Sequence, residues 1–176
     1  MKASAKISTF VLRIWRGLSI LLVFGLSVFS YSIFVEDVGI HFDQFGKADR
    51  FLRKSDIFYV VVGLIVANNV LLKWLGDRLL TLPSHLLPIP NQNFWANHRD
   101  QLNEHLKNWF YALIASINTV TGLSMLALAT VNSNQFKNGI NDFNWLFYLT
   151  VGMLLFIIVA LPVRLSAKPK LATDAA

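Results

Sequence analysis

Four long apolar runs carry no charged residue: positions 17–35, 57–72, 108–136 and 143–163. A helix needs about 20 predominantly apolar residues to cross a hydrocarbon core about 30 Å thick. Inside that core every backbone N–H and C=O must be paired within the segment, which restricts such runs to helices. The second run is the shortest, and at about 1.5 Å per residue it needs its flanking residues to reach across. Lys73 can snorkel from its end, and Trp74 suits the interface. Only 15% of the chain is charged against 55% hydrophobic, where soluble domains carry about 25% charged residues. The expected fold is therefore all-α: a single polytopic membrane domain, 1–176, with four transmembrane helices at about 14–35, 56–75, 108–131 and 143–163.

The connections are distinct in character. The N-terminus is basic, with Lys2, Lys6, Arg13 and Arg16. The first run is long for a signal core and no A-x-A-like site follows it, so an uncleaved first span is expected. Residues 36–56 mix Asp and Glu with Lys and Arg and are interrupted by Gly39 and Gly46; they read as a structured loop with a short amphipathic piece near 48–54. The connector 76–107 is the longest polar segment, and Pro83, Pro88 and Pro90 oppose a continuous helix there. A helix is expected to restart near Phe94 with Asn93 as N-cap, lying along the membrane surface before it turns inward. A short polar turn occupies 132–142, and the tail, with Lys168 and Lys170, is expected to be disordered.

Charge sets the orientation. Eleven of the 16 Lys and Arg belong to the N-terminus, the connector side and the tail, against five (Lys47, Arg50, Arg53, Lys54 and Lys137) in the other two loops. The positive-inside rule then places both termini and the connector in the cytoplasm of a cell inner membrane. The net charge of +6 sits beside apolar runs, where it meets anionic headgroups, and forms no basic stripe for nucleic acid. The absence of cysteine excludes disulfides, thiolate metal sites and cysteine nucleophiles.

Two local patterns stand out. One is Ile40-His41-Phe42-Asp43-Gln44-Phe45-Gly46-Lys47-Ala48-Asp49, after the first span. The other is Pro88-Ile89-Pro90-Asn91-Gln92-Asn93-Phe94-Trp95, before the third. Together they resemble a bacterial membrane-protein family of unknown function, whose module also occurs in Sdp-type toxin-immunity and signalling proteins. The resemblance covers most of residues 17–131. Gly39 stands where that family often has Pro, and Phe94 where it often has Tyr.

These patterns supply the candidate ligand- or partner-binding residues: His41, Phe42, Gly46 and Asp49 in the first loop, Pro90, Asn91, Phe94 and Trp95 in the connector. His41 and Asp43 are too few for a zinc site; a structural His41, with Phe42 and Phe45 anchoring the loop, is the favoured alternative. Trp95 is expected at the headgroup layer. His98 and His105 are spaced to share a helical face, but no H-E-x-x-H pattern accompanies them. Neither a metal nor any other cofactor is implied. Within the spans, Asn68 and Asn69 are the strongest polar feature, and at least one should face protein or water. Small residues Ala112, Ala115, Ser116, Thr119 and Gly122 make a face for close helix approach, within the subunit in preference to a homodimer. The expected role is partner-binding, immunity or sensing and not catalysis. A small transporter using Asn68 and Asn69, or a membrane-embedded enzyme, are the alternatives.

Overall fold

The computed structural model describes residues 2–133 and 139–167. The tail and part of the 132–142 turn lie outside the described residues. Four helical stretches, Ile7–Ile33, Lys54–Leu79, Arg99–Asn132 and Ile140–Ser166, are long and apolar enough to cross a membrane. The first is carried by α1 (Lys2–Ile33). The second joins α2 (Lys54–Val66), a π-helical turn (Ala67–Leu72) and α3 (Lys73–Leu79). The third is α5 (Arg99–Asn132), and the fourth is a 3-10 turn, Ile140–Phe143, leading into α6 (Asn144–Ser166).

The amphipathic piece near 48–54 is a strand. β1 (Asp37–Phe42) pairs antiparallel with β2 (Ala48–Arg53), with irregular register around His41. Asp43 builds the turn between them. Its Oδ1 accepts from the N–H groups of Phe45 and Lys47 at 2.8 and 2.9 Å, and its carbonyl accepts from Gly46 N–H. Gly46 has φ +77°, a conformation that costs glycine little. At the base, Lys54 N–H donates to the Glu36 carbonyl and its ammonium lies 3.1 Å from the Glu36 carboxylate.

The third span is one unbroken helix beginning at Arg99, so the surface-lying segment expected there does not form. Nothing between Arg99 and Thr121 is Gly or Pro, and Leu, Gln, Glu and Lys favour helix propagation. The connector that remains contains a 3-10 turn (Ser84–Leu86) and the short helix α4 (Gln92–Ala96).

α1 and α5 run parallel. Thr9 meets Glu104, Ser19 meets Asn118, and Val23 meets Gly122, each step advancing along both helices. The α2–α3 stretch and α6 return antiparallel, so the connector lies at the same bundle end as the start of α1. A Cβ on Gly122 would stand 3.1 Å from Val23 Cα: the small-residue face is occupied at this point by α1 of the same chain. Apolar clusters close both ends of the bundle. Phe34, Val38, Ile57, Val61, Met125 and Ala129 fill the hairpin end, and Leu87, Trp95, Leu102, Leu106 and Leu165 fill the connector end. The outward surfaces of the first, second and fourth spans are apolar and exposed, as lipid contact requires.

Candidate functional site

Between the two apolar ends lies a polar layer. Asn68 Nδ2 donates to Asn118 Oδ1 at 2.8 Å and to the Ile114 carbonyl at 2.9 Å. Asn69 Nδ2 donates to the same Asn118 oxygen at 2.9 Å and to the Ile65 carbonyl. Asn118 Nδ2 returns a bond to Asn69 Oδ1 at 3.0 Å and reaches Ser19 Oγ at 3.3 Å. One amide thus ties three spans together. The π-helical turn carries Asn68 and Asn69 as its second and third residues, and Asn68 is 5% exposed. Among the described residues, Asn68 Oδ1 is the one amide oxygen of this layer with no partner. Both amides thus face protein within the bundle. The hub, Asn118, was not among the candidates, although an Asn in an uncharged run carries the same signal as Asn68.

At the hairpin end, His41 Nδ1 lies 2.5 Å from Asp49 Oδ1 across the two strands, with both side chains about half exposed. Phe42 is partly buried, while Phe45 at the turn is 85% exposed. The hairpin is fastened to the bundle by Asn132: Gly39 N–H donates to its Oδ1 at 2.7 Å, and its Nδ2 donates to the Gly39 carbonyl at 2.9 Å. The side chain thereby pairs with the β1 backbone as a neighbouring strand would. Among the described residues no group of three His, Asp or Glu is placed to hold a metal.

At the connector end the proline segment is a clasp on helix ends. The Trp95 indole is fully buried, and its Nε1 donates to the Leu165 carbonyl at 2.9 Å. Asn91 Nδ2 donates to the Ser166 carbonyl at 2.6 Å. The final carbonyls of a helix lack intrahelical partners, and these two side chains supply them for α6. Arg99 does the same for α3, donating to the Leu80 carbonyl at 2.9 Å while also binding Ser84 Oγ. Gln92 Nε2 holds the loop by donating to the Ser84 and Leu87 carbonyls.

Several connector expectations are corrected by this geometry. Trp95 is not a headgroup anchor or docking edge, because packing against Leu102, Leu106 and Leu165 removes it from the surface. The N-cap position of α4 is Asn91, not Asn93, and it sits at φ 55°, a left-handed conformation that Asn tolerates. His98 precedes α5, with its Nδ1 3.0 Å from the Phe94 carbonyl. It therefore shares no helical face with His105, whose ring packs edge-on against Trp95. Phe94 and Pro90 remain exposed. Compared with family models, curated proteins and solved structures, the chain matches none.

Proposed function

We propose that this protein is a four-span component of a bacterial cytoplasmic membrane, with both termini and the connector inside, that works by binding a partner in an immunity or sensing role and not by catalysis. The observation that carries this reading is the hairpin. It is held rigidly by Asn132 and Asp43, yet it turns His41, Asp49 and Phe45 outward. A fixed scaffold with an exposed aromatic and charged tip suits recognition, since ordering costs are met before a partner arrives. The intramembrane amides support the same reading: they bond chiefly to one another and to backbone, as packing contacts do. The transporter alternative needs Asn68 and Asn69 to line a water path, and the enzyme alternative needs convergent reactive groups at one face. The resemblance of both loop patterns to Sdp-type immunity and signalling proteins points to a protein or peptide partner.

The test is purification from native membranes with a photocrosslinker at Phe45. A specific adduct that disappears in His41→Ala/Asp49→Ala supports recognition by the hairpin. A protein that remains alone, with no adduct at that position, overturns it.

A further inference from the structure

The two edges of the hairpin are in different states. Gly39 stands opposite Phe51 in the β1–β2 register, and its N–H and C=O both turn away from β2, to Asn132. In an antiparallel pair, opposed residues that do not bond each other send their backbone groups to the two outer edges. Phe51 therefore points its N–H and C=O out of the free side of β2. The bond from Lys54 N–H to the Glu36 carbonyl fixes the same alternation, with Leu52 and Lys54 turned inward, Phe51 and Arg53 outward. The Arg53 carbonyl is taken up by the first turn of α2, for which Arg53 is the N-cap. Three groups are left: the Phe51 N–H and C=O and the Arg53 N–H. None of them has a hydrogen-bond partner among the described residues, and residues 49–53 are all exposed. Asn132 lies on the β1 edge, and Ile140 at the turn, 3.8 Å from where a Gly46 Cβ would stand.

An open edge is a template for a further strand, in which backbone bonds give affinity and side chains give specificity. Here the side chains select by charge. Arg50 and Arg53 make no ion pair among the described residues, and Arg53 makes none with Asp37, which stands opposite it. Three other hairpin carboxylates are committed: Asp49 to His41, Asp43 to the N–H groups of the turn, and Glu36 to Lys54. Phe51 and Leu52, 55% and 40% exposed, face opposite sides of the strand and offer an apolar contact on each. Opposite charges facing across a strand pair stabilise it and like charges destabilise it. A second copy would bring its own Arg50 and Arg53, so a chain that brings carboxylates fits better. We propose that the free edge of β2 takes an extended acidic segment of the partner as a third strand. The proposal rests on the reading of the hairpin as a recognition element and gives that partner its chemistry: two carboxylates three residues apart, with strand-forming residues between them.

The probe is the capped hexapeptide Val-Glu-Thr-Val-Glu-Val, added to the full-length protein in phosphatidylcholine nanodiscs, beside the same peptide with Lys for Glu. NMR reads affinity and amide exchange together. The Glu peptide should bind about tenfold more tightly than the Lys peptide, because two cross-strand charge pairs change sign. It should also slow exchange of the Phe51 and Arg53 N–H groups. Arg50→Glu/Arg53→Glu should reverse the preference, a result that a misfolded hairpin would not give. Failure of the Glu peptide to bind, equal affinities, or binding that leaves both N–H groups exchanging freely would overturn the proposal. Slow exchange of both without peptide would also overturn it, assigning the edge to a second copy if the protein is dimeric. If that slowing needs phosphatidylglycerol in the nanodisc, the edge belongs to headgroups and the proposal falls. A Phe45 adduct from native membranes alongside any of these failures would keep recognition by the hairpin and remove the strand. Absence of the adduct as well would remove both.

Discussion

Gly39 and Asn132 exchange two hydrogen bonds, backbone N–H to side-chain oxygen at 2.7 Å and side-chain N–H to backbone carbonyl at 2.9 Å. Both partners are specific. A Cβ at Gly39 would lie 2.6 Å from the Ala48 Cβ, and Pro there would remove the donated N–H. The residue often found at this position in the resembled family is thus excluded by the bond that fixes this hairpin. Asn132→Ala is expected to lower stability by about 1–3 kcal/mol, because it leaves two backbone groups unpaired. Thermal unfolding in detergent measures this, and an unchanged midpoint would show that the hairpin is held by other contacts.

Trp95→Phe keeps most of the ring volume and loses the indole donor to Leu165. A cost of about 1–3 kcal/mol is expected, since the Leu165 carbonyl keeps only the long bond from Asn91 Nδ2 at 3.4 Å, against about 3–5 for Trp95→Ala, which also opens a cavity. The difference between the two variants, read by denaturant unfolding, separates capping from packing. Equal losses would mean that the bond contributes nothing beyond volume.

Asn118 should be the most consequential amide in the bundle. Asn118→Leu is expected to cost about 1–2 kcal/mol and to remove nearly all further effect of Asn69→Leu in a double-mutant cycle. Additive single effects would contradict the hub arrangement.

At Gly122 the expected outcome is steric. Gly122→Val adds carbon against the Val23 backbone and should cost about 1–3 kcal/mol, while Gly152→Ala, which meets nothing within 4 Å, should be neutral. Unfolding midpoints measured side by side check this, and tolerance at Gly122 would argue that α1 and α5 are not packed this closely.

Orientation is open to direct measurement because the chain has no cysteine. A single cysteine at Phe45 should be labelled by an impermeant maleimide from outside intact cells, and one at Ser166 only after the membrane is broken. The reverse pattern would invert the topology.

The four spans were legible because hydrocarbon permits so few backbone solutions that an uncharged run nearly dictates a helix. Their ends were less so: Arg99 to Lys107 is charged, and charge in a sequence does not distinguish a helix emerging from the bilayer from one lying on it. The hairpin was hidden because residues 48–53 alternate too weakly to reveal a strand until β1 is beside them. Trp95 misled for a related reason. Tryptophan near a membrane boundary has two good homes, the headgroup layer and a packed junction of helix ends, and only the position of the Leu165 carbonyl decides between them. Thr9 bonds Glu104 and Asn108, nearly a hundred positions away, a juxtaposition that no local pattern encodes.

The parallel contact between α1 and α5 has a consequence for biosynthesis. The first span enters the bilayer with Ser19, Ser27 and Ser30 on the face that α5 later covers, and its partner is still unsynthesised while the second span inserts. Helices established separately in a membrane can associate afterwards by packing and polar contacts. Assembly of this bundle is therefore timed by the emergence of the third span, and a chain released before Asn118 has formed would leave Asn68 and Asn69 without their partner, a state that membrane quality control can recognise.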